Sequence, residues 1–147
     1  MSVVRPFSPD DPQRLADIER QAAGHAWSAG QYRDAIAAGY PCYGVFDDSD
    51  ALQGFMLVMR ALDEAEILNI VIAKSNQGLG LGRQLLRHAM LDLAASGCRR
   101  LFLEVRESNA PALRLYQHCQ FRQCGMRKHY YPTQDGREHA ILMEAAL

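Results

Sequence analysis

The run Ile67-Leu68-Asn69-Ile70-Val71-Ile72 is followed, five positions on, by Gln77-Gly78-Leu79-Gly80-Leu81-Gly82-Arg83. A nearly continuous apolar run of this length reads as a central strand covered on both faces, because a strand with one wet face would alternate. The glycines then turn the chain into a helix expected from Arg83 to Ser96, with Leu85, Leu86, Ala89, Met90 and Leu93 as its buried stripe and Gly97 as its stop. A strand buried on both faces needs helices on each side of its sheet, so the fold class expected is α/β, with layers around a mixed sheet.

The remaining segments fit that frame. Val3-Val4 opens a short strand, and Asp10-Asp11-Pro12 offers an N-cap with proline in the first turn of a helix reaching about Ala23, where Gly24 can end it. Leu15, Ile18 and Ala22 have helical spacing. Ser28 and Gln31 form an S-x-x-Q capping box for a second helix, which Gly39-Tyr40-Pro41 breaks. A hairpin is expected from Cys42–Phe46 and Leu52–Arg60 around Asp47-Asp48-Ser49-Asp50, followed by the strand Glu66–Ile72. Strand Leu101–Val105, a helix capped by Ser108-Asn109-Ala110-Pro111 and ending near His118, and a closing hairpin around Asp135-Gly136 complete one domain over residues 1–147.

The glycine turn joins a buried strand to a helix start, where free backbone N–H groups and the helix dipole favour an anion. Glycine lets a phosphate approach the main chain closely and permits positive φ. Arg83-Gln84 stands where a Walker loop needs Lys-Ser or Lys-Thr, and Arg83 and Leu85 stand where a dinucleotide fingerprint needs glycine. On these residues alone the turn is either a phosphate cradle or a plain structural turn.

A net charge of −1 argues against broad binding to nucleic acid. The four cysteines lack C-x-x-C or ligand-spaced histidine partners, and His88, His118, His129 and His139 lack H-x-x-x-H spacing, so no metal site is expected. The N-terminal residues carry charge and proline rather than an apolar leader, and no apolar run is long enough to span a bilayer. A cytoplasmic protein with free thiols is expected.

Gln77, Gly80 and Gly82 in the pattern Q-x-x-G-x-G after an apolar strand resemble the pyrophosphate loop of GNAT acetyltransferases. The likeness extends to Leu68-Asn69-Ile70, Leu103-Glu104-Val105-Arg106, Ser108-Asn109, Leu115-Tyr116, Tyr130-Tyr131-Pro132 and Asp135-Gly136-Arg137-Glu138. His25-Ala26-Trp27-Ser28 is similar to a Pro-Trp-Ser segment, so nearly the whole chain resembles the ribosomal-protein alanine N-acetyltransferases of the RimI type. The resemblance implies a GNAT fold, with a mixed, mostly antiparallel twisted sheet and helices on both faces. It implies acetyl-CoA as cosubstrate, no metal, and a protein or peptide N-terminus, that of a ribosomal protein, as acceptor, acted on by a monomer or weak dimer. Residue by residue, it implies that the main chain of Ile70, Val71 and Ile72 binds acetyl and pantetheine. Gln77, Gly78, Leu79, Gly80, Leu81, Gly82 and Arg83 would then hold the pyrophosphate, and Asn109 a further cofactor contact. Glu104 is implied as general base and Tyr116 as general acid. The chain shows three departures from the family pattern: Gly78 for arginine, Ala73-Lys74 for Asp-Pro, and Gln120 for glycine before Phe121.

Those residue types suit acetyl transfer. An N-terminal amine has a pKa of about 7.7 to 8.0, so near neutrality most of it is ammonium and needs a base. Partial desolvation at the end of an apolar strand makes a carboxylate a better one. A thiolate leaving group with pKa about 8.5 facing a phenol near 10 requires a tyrosine tuned downward, or one that donates as charge develops. Other readings of the same residues stay open: Glu104 paired with Arg106 or Arg83, Tyr116 as a packing aromatic, Asn109 as a helix cap, Cys119 or Cys124 as a ping-pong nucleophile. Asp63-Glu64-Ala65-Glu66 reads as an acidic loop that, with Tyr130-Tyr131-Pro132, lines a groove for a basic peptide. A small-molecule amine acetyltransferase and a silent acyl-CoA-binding module are the competing functions.

Overall fold

The computed structural model describes residues 1–23 and 26–147. Gly24, expected to end the first helix, and His25, in the segment compared with Pro-Trp-Ser, lie outside the described residues. The chain runs β1 (Val3–Pro6), α1 (Pro12–Ala22), α2 (Ala29–Ala37), β2 (Cys42–Phe46), β3 (Leu52–Ala61), β4 (Glu64–Ile72), a 3₁₀ turn at Lys74–Asn76, α3 (Leu81–Ala95), β5 (Arg100–Arg106), α4 (Ala110–His118), β6 (Arg122–Thr133) and β7 (Gly136–Ala146).

Local chemistry accounts for most boundaries. Asp11 accepts from the Arg14 amide at 3.2 Å to start α1. At α2 the capping box is reciprocal: the Gln31 amide donates to Ser28 Oγ at 3.2 Å and the Ser28 amide to Gln31 Oε1 at 2.9 Å. Between β2 and β3, Asp47 Oδ1 accepts from the amides of Ser49 and Ala51. The turn between β3 and β4 is only Leu62-Asp63, so Glu64 and Glu66 belong to strand β4 and not to an acidic loop. Helix α3 starts at Leu81 rather than Arg83, because Gly80, at φ 78°, already swings the chain into helical geometry.

The seven strands form one sheet in the order β1-β2-β3-β4-β5-β7-β6. All pairings are antiparallel except β4 with β5. That topology agrees with the mixed, mostly antiparallel sheet expected, although β7 inserts between β5 and β6. Helices cover both faces. Leu15 and Ala16 of α1 and Tyr32 and Ala35 of α2 pack with Phe55, Leu57 and Val71 on one side. Leu85, Leu86, Ala89 and Leu93 of α3 and Tyr116 of α4 pack with Ile67, Leu101, Leu103 and Val105 on the other.

Gln120, after α4, has φ 71°, the left-handed conformation for which glycine is suited. A side chain there costs about 1–2 kcal/mol, part of which the lower chain entropy of a non-glycine residue offsets. Gln120→Gly should therefore stabilise the protein by about 1 kcal/mol and raise Tm by about 2–4 °C. A thermal melt with unchanged or lowered Tm would remove strain from this turn.

Candidate active site

Strands β4 and β5 pair at three positions, Glu64 with Arg100, Ala65 with Leu101 and Glu66 with Phe102, and then part. Beyond that point β4 stays on β3 as far as Ile72, and β5 stays on β7 as far as Arg106. The result is a fork in the middle of the sheet, opening into a cleft of about 560 Å³. Ile70, Val71, Ile72, Gln77, Glu104, Asn109 and Tyr116 all line it, so seven residues singled out in the sequence meet at one place.

Peptide groups along an antiparallel strand point alternately to one neighbour and then the other. The Ala73 amide donates to Gln53 O at 2.9 Å, toward β3, and Phe55 lies opposite Val71 two positions back. Alternation therefore turns the N–H and C=O of Val71 to β3 and those of Ile70 and Ile72 into the fork. Consistent with this, Ile72 O accepts from Gln77 Nε2 at 3.1 Å. Of the three residues implied to bind through the main chain, Ile70 and Ile72 present peptide groups to the cleft, while Val71 contributes wall. A bulge in β4, where Leu57 faces Asn69 but Val58 faces Ile67, sets that phase.

Leu103 and Val105 face the α3/α4 core, so Glu104 between them faces the opposite side of the sheet. Tyr116 reaches the fork from the α3/α4 side. Glu104 Oε1 forms an ion pair with Arg127 Nε at 3.0 Å. The guanidinium thus comes from β6, not from Arg106 or Arg83; Arg106 instead pairs with Glu138 at 3.3 Å and stacks on Tyr131. Burial, and secondarily the neighbouring Tyr131 phenol, push the Tyr116 pKa upward. Both influences oppose the downward tuning expected of a tyrosine that serves a thiolate.

Gly78 and Gly80 both have positive φ, at 79° and 78°, and a Cβ at either would meet open space. Helical bonding in α3 begins with the Gln84 amide on Gly80 O, so the amides of Leu81, Gly82 and Arg83 are first-turn donors without helical acceptors. Gly78 to Arg83 lie just beyond the cleft lining, past Gln77; Leu79 is exposed, whereas the Leu81 side chain is core and offers the main chain alone. Asn109 caps α4 through the Ala112 amide at 3.3 Å while lining the cleft. Cys119 is buried and Cys124 exposed, and neither lines the cleft, so no ping-pong thiol stands at the site.

The Acetyltransferase (GNAT) family model matches residues 5–121. This chain belongs to the GNAT acetyltransferase family. The GNAT chain is 36% identical to the [ribosomal protein bS18]-alanine N-acetyltransferase of Haemophilus influenzae over 148 residues, covering 100% of both proteins. The crystal structure of the ribosomal-protein-S18-alanine N-acetyltransferase from Escherichia coli matches with a TM-score of 0.92 at 34% identity, covering 99% of this chain and 94% of that one. Arabidopsis thaliana NAA60 in complex with acetyl-CoA shares the fold, with a TM-score of 0.83 at 18% identity and coverage of 100% and 99%. The chain is thus an acyltransferase of a fold that accommodates acetyl-CoA.

The GNAT site also contains Glu19, which sequence reasoning passes over, with Trp27, Asn69 and Glu138, which it notes only within the family likeness, and Tyr131, which it places in an acceptor groove. Glu19, Trp27 and Asn69 line the cleft on the α1/α2 side, and Tyr131 and Glu138 line it on the hairpin side. Asn69 interrupts an otherwise apolar strand, and Glu19 falls on the helical face of Leu15 and Ala16; those two oddities were the available signals. Among the described residues no group of three or more His, Cys, Asp or Glu is placed to hold a metal ion, and no helix is long and apolar enough to cross a membrane.

Proposed function

We propose that this enzyme transfers acetyl from acetyl-CoA to the N-terminal α-amine of a protein, and that the acceptor is the alanine N-terminus of ribosomal protein bS18. The observation that carries this reading is the fork itself, with Ile70 and Ile72 peptide groups turned inward between Glu104 on one face and Tyr116 on the other. The names of the H. influenzae and E. coli relatives support the choice of acceptor. A ribosomal acceptor places the reaction in the cytoplasm.

The residues present fit acetyl-CoA. Inward peptide groups on β4 can extend the sheet with pantetheine, and the first-turn amides of α3 can take a pyrophosphate. Glu104 accepts a proton from the acceptor ammonium, directly or through water. The amine then attacks the thioester carbonyl carbon, whose oxygen is stabilised by an inward main-chain N–H. The C–S bond breaks as Tyr116 donates its phenolic proton to the departing sulfur, the second proton of the attacking nitrogen returns through water to the tyrosinate, and Glu104 releases its proton to solvent.

The decisive assay combines acetyl-CoA with peptides beginning Ala, Ser or Gly and follows the N-terminus by mass spectrometry. Selective alanine acetylation supports the reading, and turnover confined to small amines overturns it. Glu66, opposite Phe102 at the end of the parallel pair, feels the Glu104 carboxylate, and its pKa is raised first by burial and then by that second carboxylate, against the lowering effect of Arg127. Reversing Asp63, Glu64 and Glu66 together to lysine should raise the KM of a basic acceptor peptide several-fold. An unchanged KM would remove the acidic surface from acceptor recognition.

A further inference from the structure

Glu19 is a buried carboxylate with 5% of its surface exposed, inside a cleft whose chemistry is assigned to other residues. Burying an ion costs several kcal/mol unless donors replace its water. Three do: the Trp27 amide at 2.8 Å and the Tyr32 hydroxyl at 2.6 Å on Oε1, and Asn69 Nδ2 at 3.0 Å on Oε2. Asn69 Nδ2 also donates to the Tyr32 hydroxyl at 2.8 Å, which closes the network. One carboxylate therefore joins α1, the connection to α2, α2 itself and the bulge of β4.

Two of these donors belong to the cleft wall. Trp27 lines the cleft and packs on Tyr32 with ring centroids 5.2 Å apart; Asn69 lines it beside Ile70. Both stand on the same face of the sheet as Glu104, the face from which the amine arrives if the acyl-transfer reading above holds. We infer that Glu19 is the positioning residue of the acceptor side: it fixes Trp27 and Asn69 as one wall against which the acceptor's first residue is aligned. Its action runs through hydrogen bonds to those residues and leaves the cofactor side, at Gly78 to Arg83, untouched.

The chain contains one tryptophan, Trp27, so its fluorescence reports on this wall directly. In Glu19→Gln a single carbonyl oxygen faces three donors, and the new amide opposes the Asn69 amide. Trp27 emission should shift to the red and become more accessible to acrylamide. Peptide KM should rise about tenfold, as for losing one hydrogen bond to a charged group, while the acetyl-CoA Kd from calorimetry stays within about twofold. The exchanged pair Glu19→Gln with Asn69→Asp restores a donor facing an acceptor and should recover both emission and KM. Tyr32→Phe, which keeps the ring but removes one donor, should move both readouts the same way by a smaller step, and serves if the first variant does not fold. A Trp27 emission that neither Glu19→Gln nor Tyr32→Phe changes overturns the inference, whether or not any peptide is acetylated. A shifted emission with unchanged peptide KM overturns the role in acceptor alignment. Absence of peptide turnover in the unmodified enzyme instead removes the acyl-transfer reading and leaves the tether to be judged by fluorescence.

Discussion

Replacing Glu104 by glutamine should lower kcat by about 10²- to 10⁴-fold, the usual contribution of a positioned general base. The amide keeps the size of the carboxylate, so the fork and its main-chain groups persist, and acetyl-CoA should bind with unchanged Kd. What disappears is a proton acceptor on the face opposite Tyr116. The residual rate should then follow ionisation of the acceptor itself, rising through about pH 8, where an N-terminal amine becomes neutral without help. The variant also releases Arg127 from its 3.0 Å ion pair. That guanidinium is half exposed, so its loss of a partner should cost little stability. Steady-state kinetics from pH 6 to pH 10, alongside calorimetry with the cofactor, check both halves. A kcat equal to the unmodified enzyme would remove Glu104 from proton transfer.

Tyr116→Phe should cause a loss of similar size, about 10²- to 10⁴-fold in kcat, through a different charge. The phenol is 5% exposed and packs against Phe121 with ring centroids 5.7 Å apart. Phenylalanine preserves that contact, so folding should survive. Burial raises the tyrosine above its ordinary pKa near 10, which keeps it protonated throughout the working range. Two consequences follow. Complete ionisation of the phenol by a free thiolate of pKa about 8.5 would run uphill, so on the proposed mechanism a proton from Tyr116 would move as the C–S bond lengthens. In addition, the rate should show no alkaline fall from Tyr116 below about pH 10, because a raised pKa displaces that limb upward. The same shift links to stability: a group that holds its proton more tightly when folded stabilises fully below its unfolded pKa, and this contribution is lost as pH rises past about 10. An undiminished kcat in the phenylalanine variant would leave Tyr116 a packing residue.

Much of this could be read from residue order because the relevant forces are local. The Ser28–Gln31 box, the Asp11 and Asn109 caps and the stripe of α3 each depend on neighbours within one or two turns, and each lies where those neighbours place it. Insertion of β7 between β5 and β6 depends on contacts between distant segments, which no short window encodes. The Arg127 partner of Glu104 is illegible in the sequence for that reason: the two residues meet across β7, where Ala140 and Leu142 lie between them. The sequence points to a start of α3 two residues late, at Arg83, because Gly80 and Gly82 have the composition of a loop while Gly80 caps the helix. The bulge in β4 was hidden by its own residues, since Leu68 and Asn69 fit either phase of the strand.

The parting of β4 from β5 has a consequence for isotope labelling. Inside a well-paired sheet the amide protons of Ile70 and Ile72 would be among the slowest to trade with deuterated solvent, yet no adjacent strand holds them here. In ligand-free protein they should exchange much sooner than Val71 between them, a rapid-slow-rapid signature along three consecutive residues. Occupancy by the thioester's amide chain should abolish that signature, so a spectrum could monitor loading of the enzyme without any turnover.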